Sequence, residues 1–465
     1  MLETRAIGHL RWCVGGHCSW DTVRGLRTKS THFSTVQLAQ DSQSLTSAKA
    51  QSLPFKSIPC TGRNAWANLA RYWKNNSFQQ LHLVMEGHFQ NLGPIYRNGE
   101  DWRSDRLILN KEVLSLTGVK KFLPFLDEVA NDFVSFLMRR INKNTRGTLT
   151  VDLYADLFRF TMEASGYVLY GQRLGLLEEH PNEDSLRFIR AVETMIKTTL
   201  PLVYLPHQLL RLTDSALWTQ HMEAWDVIFQ QADRCIQNIY QEFCLGQERG
   251  YSGIMAELLL QGELPLDSIT ANVTELMAGG VDTTAMPLLF TLFELARNPS
   301  VQQELRAEIK RAEGQCPKDM NQLLNSMPLL KGAIKETLRL YPVGITVQRY
   351  PMKDIVLQNY HIPAGTLVQV GLYPMGRSSE LFQNPLRYDP TRWMRRDETN
   401  FKALAFGFGS RQCIGRRIAE TEMMLFLMHM IKNFQINTVC KDDIKTVFRF
   451  ILMPEKPPLL TFRPV

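Results

Sequence analysis

The chain has 465 residues, 44% of them hydrophobic, and a formal net charge of +7. This length is enough to bury a large core and a bulky cofactor, and no block of like charge indicates a nucleic-acid-binding tail. None of the eight cysteines stands in a C-x-x-C pair, so zinc and iron–sulfur ligation have little sequence support. Their sparse, scattered positions are typical of a reducing compartment.

The first 40 residues are basic, rich in Ser, Thr and His, and lack the apolar core of about 7–15 residues that a secretory signal requires. This composition predicts a mitochondrial transit peptide and linker over residues 1–40, with a merely disordered N-terminus as the alternative. No run of about 18 consecutive apolar residues occurs, so no spanning helix is predicted. A peripheral membrane contact is left open.

From Trp66 onward, hydrophobic periodicity predicts long helices broken by Pro and Gly, followed by short strands. The helical segments are 122–140, 152–170, 218–241 and 267–297. The strand segments are 355–358 and 366–370 on either side of a turn at 361–365, then 447–452 and 459–462. The pattern predicts one mainly α domain with small β-sheets over residues 41–465.

Two pairs of residues have the spacing of one helix face. Trp102 and Arg106 are four apart, and Glu336 and Arg339 are three apart. By itself, either pair would be interpreted as solvated surface charge that contributes little to stability.

A helix with two adjacent glycines is predicted around residue 280. Gly279 and Gly280 each cost about 1 kcal/mol relative to Ala in a helix. Pro287 offers no N–H to the carbonyl of Thr283, which predicts a kink there, and the Thr283 hydroxyl can bond the Gly279 carbonyl. The helix therefore either packs another helix through its glycines or opens a groove beside Thr283.

Cys413 lies in the glycine-rich segment FGFGSRQCIGRR, residues 406–417, just before an apolar helical pattern. Glycines let a backbone adopt positive φ and approach a flat ligand. Unpaired N–H groups at a helix N-terminus stabilise a thiolate. The alternative for such a segment is a turn that holds a buried structural cysteine.

The complete order F-x-x-G-x-R-x-C-x-G in this segment resembles the signature of the cytochrome P450 family, and the resemblance extends from about residue 60 to the C-terminus. It implies the family's mainly α fold and a haem b cofactor whose iron is bound by the Cys413 thiolate. The other haem-binding residues that it implies are Trp102, Arg106, Arg349, Phe406 and Arg411. It also implies that Arg392 joins Glu336 and Arg339 near the haem.

The segment around Gly279 resembles the family's Gly-x-Asp-Thr pattern, which implies that Asp282 and Thr283 relay protons to bound dioxygen. The amino-acid sequence resembles that of the mitochondrial branch that contains steroid 11β-hydroxylase and aldosterone synthase. The segments on which this resemblance rests are 338–344, 357–368 and 290–299.

That branch implies a steroid pocket with few polar anchors. Its residues would be Met195, Trp225, Glu275, Ala278, Val343, Phe450 and Ile451. It also implies that an adrenodoxin-type acidic ferredoxin donates the electrons and docks on Lys331, Lys335 and Arg417. The alternative interpretation of these basic residues is a solvated face with no partner. The location implied is the matrix side of the inner mitochondrial membrane, with peripheral attachment.

The chain departs from the family at Arg97–Asn98, where a block of about fifty residues is missing, far beyond ordinary loop variation. The block would hold two strands of the main sheet and the B-helix region. The function expected is haem-dependent hydroxylation of a steroid at the 11β position. The alternatives are cholesterol side-chain cleavage and an inactive truncated isoform that binds only haem or ferredoxin.

Overall fold

A computed structural model describes residues 116–204, 213, 215–245, 251, 253–262, 266–316, 319–394 and 404–465. The predicted leader, the Arg97–Asn98 junction and the Trp102–Arg106 pair lie outside these ranges. The described residues belong to two compact units. One contains residues 348–369, and the other contains the remaining described residues.

Helices dominate the described residues, as the periodicity predicts. They are α1 Leu116–Asn142, α2 Tyr154–Tyr170, α3 Glu183–Tyr204, α4 Ala216–Cys244, α5 Gly253–Gln261, α6 Leu266–Arg297, α7 Pro299–Gln315, α8 Met320–Asn325, α9 Pro328–Leu340, α10 Leu372–Gly376 and α11 Arg416–Asn433. Two short 3₁₀ turns, Pro390–Trp393 and Gly409–Arg411, lie before α11.

The strands are short and antiparallel wherever their register is resolved. They are β1 Leu149–Asp152, β2 Thr346–Arg349, β3 Ile355–Leu357, β4 Tyr360–Ile362, β5 Val368–Gly371, β6 Phe434–Thr438, β7 Thr446–Arg449, β8 Ile451–Pro454 and β9 Leu459–Pro464. The order β1-β9-β6 forms one sheet, while β2-β5, β3-β4 and β7-β8 form two-stranded pairs.

One strand prediction is wrong, and one chain reversal was not predicted. The segment 447–452 is not one strand, because Phe450 has φ +69° and reverses the chain between β7 and β8. The predicted turn is present at 363–365, where Gly365 has φ +70° and the Thr366 N–H donates to the Pro363 carbonyl at 3.3 Å, but residues 361 and 362 belong to β4. A further reversal, which was not predicted, joins β3 to β4 at Gln358 and Asn359, whose φ values are +44° and +65°. Positive φ at residues other than glycine is uncommon, and composition gave no sign of it here.

The centre of the larger unit is α6, which packs against α2, α4, α9 and α11. A helix that is apolar on most of its faces is buried on most of them. Within α6, the segment Ser268–Arg297 is long and apolar enough to cross a membrane by length and composition alone. In the protein, however, 78% of its most apolar 18-residue window is buried, as in an ordinary core helix.

Aromatic packing fixes the helix that follows the cysteine loop. Phe426 of α11 lies against Phe133 of α1 and Phe160 of α2, with ring centroids 5.1 and 4.6 Å apart. All three side chains are almost fully buried. Aromatic pairs at such distances stabilise a core beyond their buried area. They hold α11 against α1 and α2, so the cysteine loop leads into a helix that is fixed in the core.

Candidate haem-thiolate site

The cysteine loop is a tight turn that presents Cys413 at the N-terminus of α11. The Cys413 N–H donates to the Phe406 carbonyl at 2.7 Å, and the Gly407 N–H donates to the Leu404 carbonyl at 2.7 Å. Gly407 and Gly409 have φ values of +66° and +72°, as their glycine character predicts. The helix begins three residues after the cysteine, so its unpaired N–H groups favour the thiolate.

Cys413 is exposed, and the space beside the loop is open. A Cβ atom added to Gly409 or Gly415 would meet no other atom within 4 Å. Cys235, in contrast, is buried as a structural cysteine is. The buried structural role considered for Cys413 is therefore wrong, and the loop has room for a large flat ligand.

One narrow stripe of α6 is also open. Glu275, Gly279 and Thr283, each four residues after the last, are exposed on a helix whose other faces are largely buried. A Cβ atom added to Gly279 would meet nothing within 4 Å. The Thr283 hydroxyl donates to the Gly279 carbonyl at 2.5 Å, which confirms the predicted bond.

The two adjacent glycines of α6 serve different purposes. A Cβ atom added to Gly280 would come within 3.0 Å of the Ser165 hydroxyl on α2, so Gly280 allows close helix packing. Gly279 faces the open stripe instead. Both alternatives predicted for this glycine pair are thus realised, one at each residue.

Asp282 lies on the closed side of the same helix turn. The residue is 2% exposed, and its Oδ1 atom has no hydrogen-bond partner among the described residues. Burial raises the pKa of this carboxyl well above its ordinary value, the charge of Glu193 raises it further, and Lys197 opposes the shift. The shift favours the neutral form of Asp282, in which the carboxyl can donate a proton.

A buried charge cluster joins α9 to the segment that precedes the cysteine loop. The Glu336 carboxylate accepts from Arg339 at 2.8 and 2.9 Å and from Arg392 at 2.9 Å. The Trp393 indole and the Asp389 backbone N–H complete its coordination, both at 2.9 Å. The predicted association of Arg392 with the Glu336–Arg339 pair is confirmed.

The two arginines also hold the intervening chain by its carbonyls. Arg339 donates to the carbonyls of Gly376, Pro385 and Arg387. Arg392 donates to those of Gln383, Asn384 and Arg387. Residues 376–393 are thereby fixed around one carboxylate.

A cavity of about 250 Å³ lies between this cluster and the cysteine loop. Among its lining residues are Lys331, Lys335, Trp393, Phe406 and Arg416. The structure thus brings the two predicted docking lysines next to the loop segment that carries the thiol. No single segment of the sequence contains this arrangement.

The two lysines predicted to dock the ferredoxin are half-buried rather than fully exposed. Lys331 donates to Asn325 at 2.8 Å, and burial lowers the pKa of its ammonium group. The Lys335 ammonium lies 5.9 Å from the centroid of the Trp393 ring, within cation–π range. Arg417, at the start of α11, is half-buried as well.

The predicted substrate residues fall into three groups. The first group, Glu275 and Ala278, lies on α6. The second group lies at and beside the β7–β8 pair: it includes Val343, whose carbonyl accepts from the Leu452 N–H of β8 at 3.0 Å. The same group includes Phe450 and Ile451, which lie at the β7–β8 reversal. The third group consists of Met195 on α3 and Trp225 on α4. The elements themselves pack together, α6 against α4 and β8, and α3 against β7.

The remaining predicted haem ligands are only partly described. Arg411 is half-buried in the 3₁₀ turn before Cys413. Arg349 ends β2, and its guanidinium donates to the Gln348 carbonyl at 2.8 Å.

The sequence did not predict three contacts: the Trp393 bond to Glu336, the close approach of Ser165 to Gly280, and a bond between His221 and Trp225 at 3.1 Å. The bond between His221 and Trp225 could have been predicted, because residues four apart lie on the same face of a helix.

Comparison with known proteins agrees with this site: residues 66–462 match the family model of cytochrome P450. The chain belongs to the cytochrome P450 family. Members of the family bind haem through a cysteine thiolate, so the cofactor is haem b with Cys413 as its axial ligand. The open loop beside Gly409 and the open stripe beside Gly279 fit such a group.

Three relatives illustrate the similarity. Mitochondrial cytochrome P450 11B of Aquarana catesbeiana is 67% identical over 100% of both chains. Mitochondrial cytochrome P450 11B1 of Ovis aries is 47% identical over 89% of this chain and 93% of the relative. The mitochondrial cholesterol side-chain cleavage enzyme of Oncorhynchus mykiss is 44% identical over 88% of this chain and 90% of the relative.

The first of these alignments also bears on the missing block. It spans 517 positions, although this cytochrome P450 has 465 residues. At least 52 positions are therefore filled by the relative alone, which agrees with the predicted loss of about fifty residues.

We expect Cys413→Ser to abolish the red-shifted Soret band of the reduced, carbon monoxide-bound protein, because that band requires a thiolate on the iron. Absorbance spectroscopy of the purified protein measures it. Cys440→Ser, at another exposed cysteine, is the matched control and should keep the band. An unchanged spectrum in Cys413→Ser would remove this cysteine from the site.

We expect Glu336→Gln to destabilise the protein by about 3–5 kcal/mol, because two arginines lose their buried counter-charge. Denaturant titration gives the free energy of unfolding, and haem content reports the state of the loop. Glu183→Gln removes a carboxylate that is paired with Arg190 on the surface and should change little. Equal effects of the two substitutions would contradict the central role of Glu336.

We expect Asp282→Asn to gain stability relative to the wild type as pH rises. The folded carboxyl keeps its proton above the ordinary pKa of 3.8, whereas the unfolded one loses it, so wild-type stability falls with rising pH in that range. Urea unfolding of both proteins at about pH 5 and about pH 8 measures this difference. The exposed Asp226→Asn is the control; a pH-independent difference for Asp282→Asn would refute a neutral buried carboxyl.

Proposed function

We propose that the chain is a mitochondrial steroid hydroxylase that acts at the 11β position of deoxycorticosteroids. The observation that carries the proposal is the open stripe of Glu275, Gly279 and Thr283 on an otherwise buried helix, in a chain whose signature cysteine is exposed. Relatives named as mitochondrial cytochromes P450 11B support the choice of branch.

When bound, the haem supplies an iron centre whose thiolate ligand favours cleavage of dioxygen. The residues of the chain supply the protons. Asp282, whose carboxyl pKa is raised by burial, would donate a proton, and the Thr283 hydroxyl on the exposed stripe would position the dioxygen that receives it. The bond from Thr283 to the Gly279 carbonyl sets the direction of that hydroxyl.

Apolar side chains would form the steroid-binding surface. Met195, Ala278 and Ile451 are almost fully buried, and Trp225 is half-buried with an indole N–H as a polar group. Glu275 provides a charged anchor at the end of the open stripe. A rigid apolar ligand with few oxygens needs a surface of this composition.

Electrons would come from an acidic ferredoxin of the adrenodoxin type. Lys331 and Lys335 line the cavity beside Phe406 of the cysteine loop, so a partner docked there would lie near the thiolate. Basic side chains around such a contact attract an acidic partner and accelerate association at low salt. We place the protein on the matrix side of the inner mitochondrial membrane, attached peripherally.

Two other functions have specific support. Similarity to a cholesterol side-chain cleavage enzyme at 44% identity favours cleavage of cholesterol as one alternative. The missing positions in the alignment favour the other, an inactive isoform that binds only haem or ferredoxin.

Turnover separates the three functions. We expect the haem-loaded protein, with saturating adrenodoxin-type ferredoxin and its reductase, to hydroxylate 11-deoxycortisol at carbon 11 and to leave cholesterol intact, with a rate at limiting ferredoxin that falls as salt rises. Mass spectrometry of the products measures this. Cleaved cholesterol would support the first alternative. No product from a protein with a normal carbon monoxide spectrum would support the second.

A further inference from the structure

A chain of hydrogen bonds crosses from α3 to α4. The Trp225 indole N–H donates to His221 Nε2 at 3.1 Å. The other ring nitrogen, His221 Nδ1, lies 2.8 Å from the Thr198 hydroxyl. Thr198 in turn donates to the carbonyls of Thr194 and Met195, at 2.7 and 3.1 Å. Both ends of the chain, Met195 and Trp225, are residues that the proposed function assigns to the steroid.

Only one arrangement of protons satisfies all of these contacts. An indole nitrogen can only donate, so His221 Nε2 must be the acceptor and its hydrogen must sit on Nδ1. The Nδ1–H then donates to Thr198, whose own hydrogen points to a backbone carbonyl of α3. A doubly protonated ring has no acceptor left for Trp225.

The surroundings of His221 favour this neutral form. The ring is half-buried between the helices, and burial lowers the pKa of the imidazole below its ordinary value. Thr198 is 5% exposed, so the bond between the helices is shielded from competing water. An ion pair between Arg234 on α4 and Asp184 on α3 also joins the two helices, but it is exposed and contributes little.

Trp225 has few other polar constraints on its orientation. Its ring lies 5.7 Å from the Phe229 ring, a tilted apolar contact that does not select one direction of the N–H. Met195 is held more firmly, because the Thr199 hydroxyl donates to its carbonyl at 2.7 Å and lies 3.6 Å from its sulfur. The hydrogen bond that the indole donates to His221 therefore relates Trp225 to the α3 side of the pocket.

We propose that His221 is a positioning residue that fixes the Trp225 indole against the substrate and ties it to α3 through Thr198. This inference rests on the proposed function, because it assumes that Trp225 touches the steroid. It adds a polar residue, not itself in contact with substrate, that determines specificity.

The test is a double-mutant cycle between His221→Phe and Trp225→Phe in the haem-loaded protein. Phe keeps a ring at each position but cannot form the bond. We expect His221→Phe to raise the steroid dissociation constant about three- to tenfold, as for the loss of one hydrogen bond, to raise KM more than it lowers kcat, and to alter the ratio of hydroxylated products. In the Trp225→Phe background the same substitution should have no further effect.

Two further variants keep the test decisive. Thr198→Val removes only a hydroxyl and should give the same direction of change, so it replaces His221→Phe if that variant fails to fold. Thr194→Val removes a hydroxyl that donates to the Arg190 carbonyl on the same helix, and it should leave steroid binding unchanged. Additive effects of His221→Phe and Trp225→Phe would overturn the proposal.

Fluorescence gives a readout that needs neither steroid nor turnover. The difference spectrum between the wild type and Trp225→Phe isolates the emission of this indole. In each variant, the same difference is taken against that variant with Trp225→Phe added. The emission maximum of Trp225 should shift in His221→Phe and stay in place in Thr194→Val. An unshifted maximum in His221→Phe would count against the hydrogen bond. If the wild type binds no steroid while the fluorescence shift is present, the proposed function fails and the positioning contact stands.

Discussion

A single carboxylate organises the side of the protein that carries the thiol. Glu336 has no exposed surface, and a buried charge of this kind is tolerated only when its oxygens are fully paired. Arg339, Arg392, Trp393 and the Asp389 backbone supply that pairing. Because the two arginines also bind carbonyls from Gly376 to Arg387, the whole intervening segment takes its shape from one buried ion cluster.

The same cluster adjoins both the cysteine loop and the lysines that were predicted to dock a ferredoxin. Trp393 contacts Glu336 on one side and lies under the Lys335 ammonium on the other. The cavity that these residues line extends to Phe406, whose carbonyl accepts from the Cys413 N–H. In this cytochrome P450, Lys335 and the segment that carries the thiol are therefore held on the same buried cluster.

The opposite requirement, for open space, is met by α6. Most of the helix is held by close packing, including the approach of Ser165 to Gly280. Its open stripe is created by the absence of a side chain at Gly279, and Thr283 stands at the edge of that opening. The carboxyl of Asp282 lies on the closed face, one residue away, where burial raises its pKa and favours the protonated form. The buried carboxyl and the open stripe lie on different faces of the helix, because successive residues are rotated by about 100°.

The sequence by itself determined the local features, because their partners are a few residues apart. The cysteine signature, the Glu336–Arg339 pair and the Thr283 bond to Gly279 all follow from short spacings within one element. It failed at the β7–β8 reversal, since positive φ at Phe450 is imposed by pairing and not by residue type. The family resemblance predicted one distant contact, that of Arg392 with Glu336. The tertiary structure alone decided others, as when Trp393 reaches Glu336 across 57 positions or His221 reaches Thr198 across 23. Such contacts depend on how helices pack, and no periodicity in the chain encodes which faces meet.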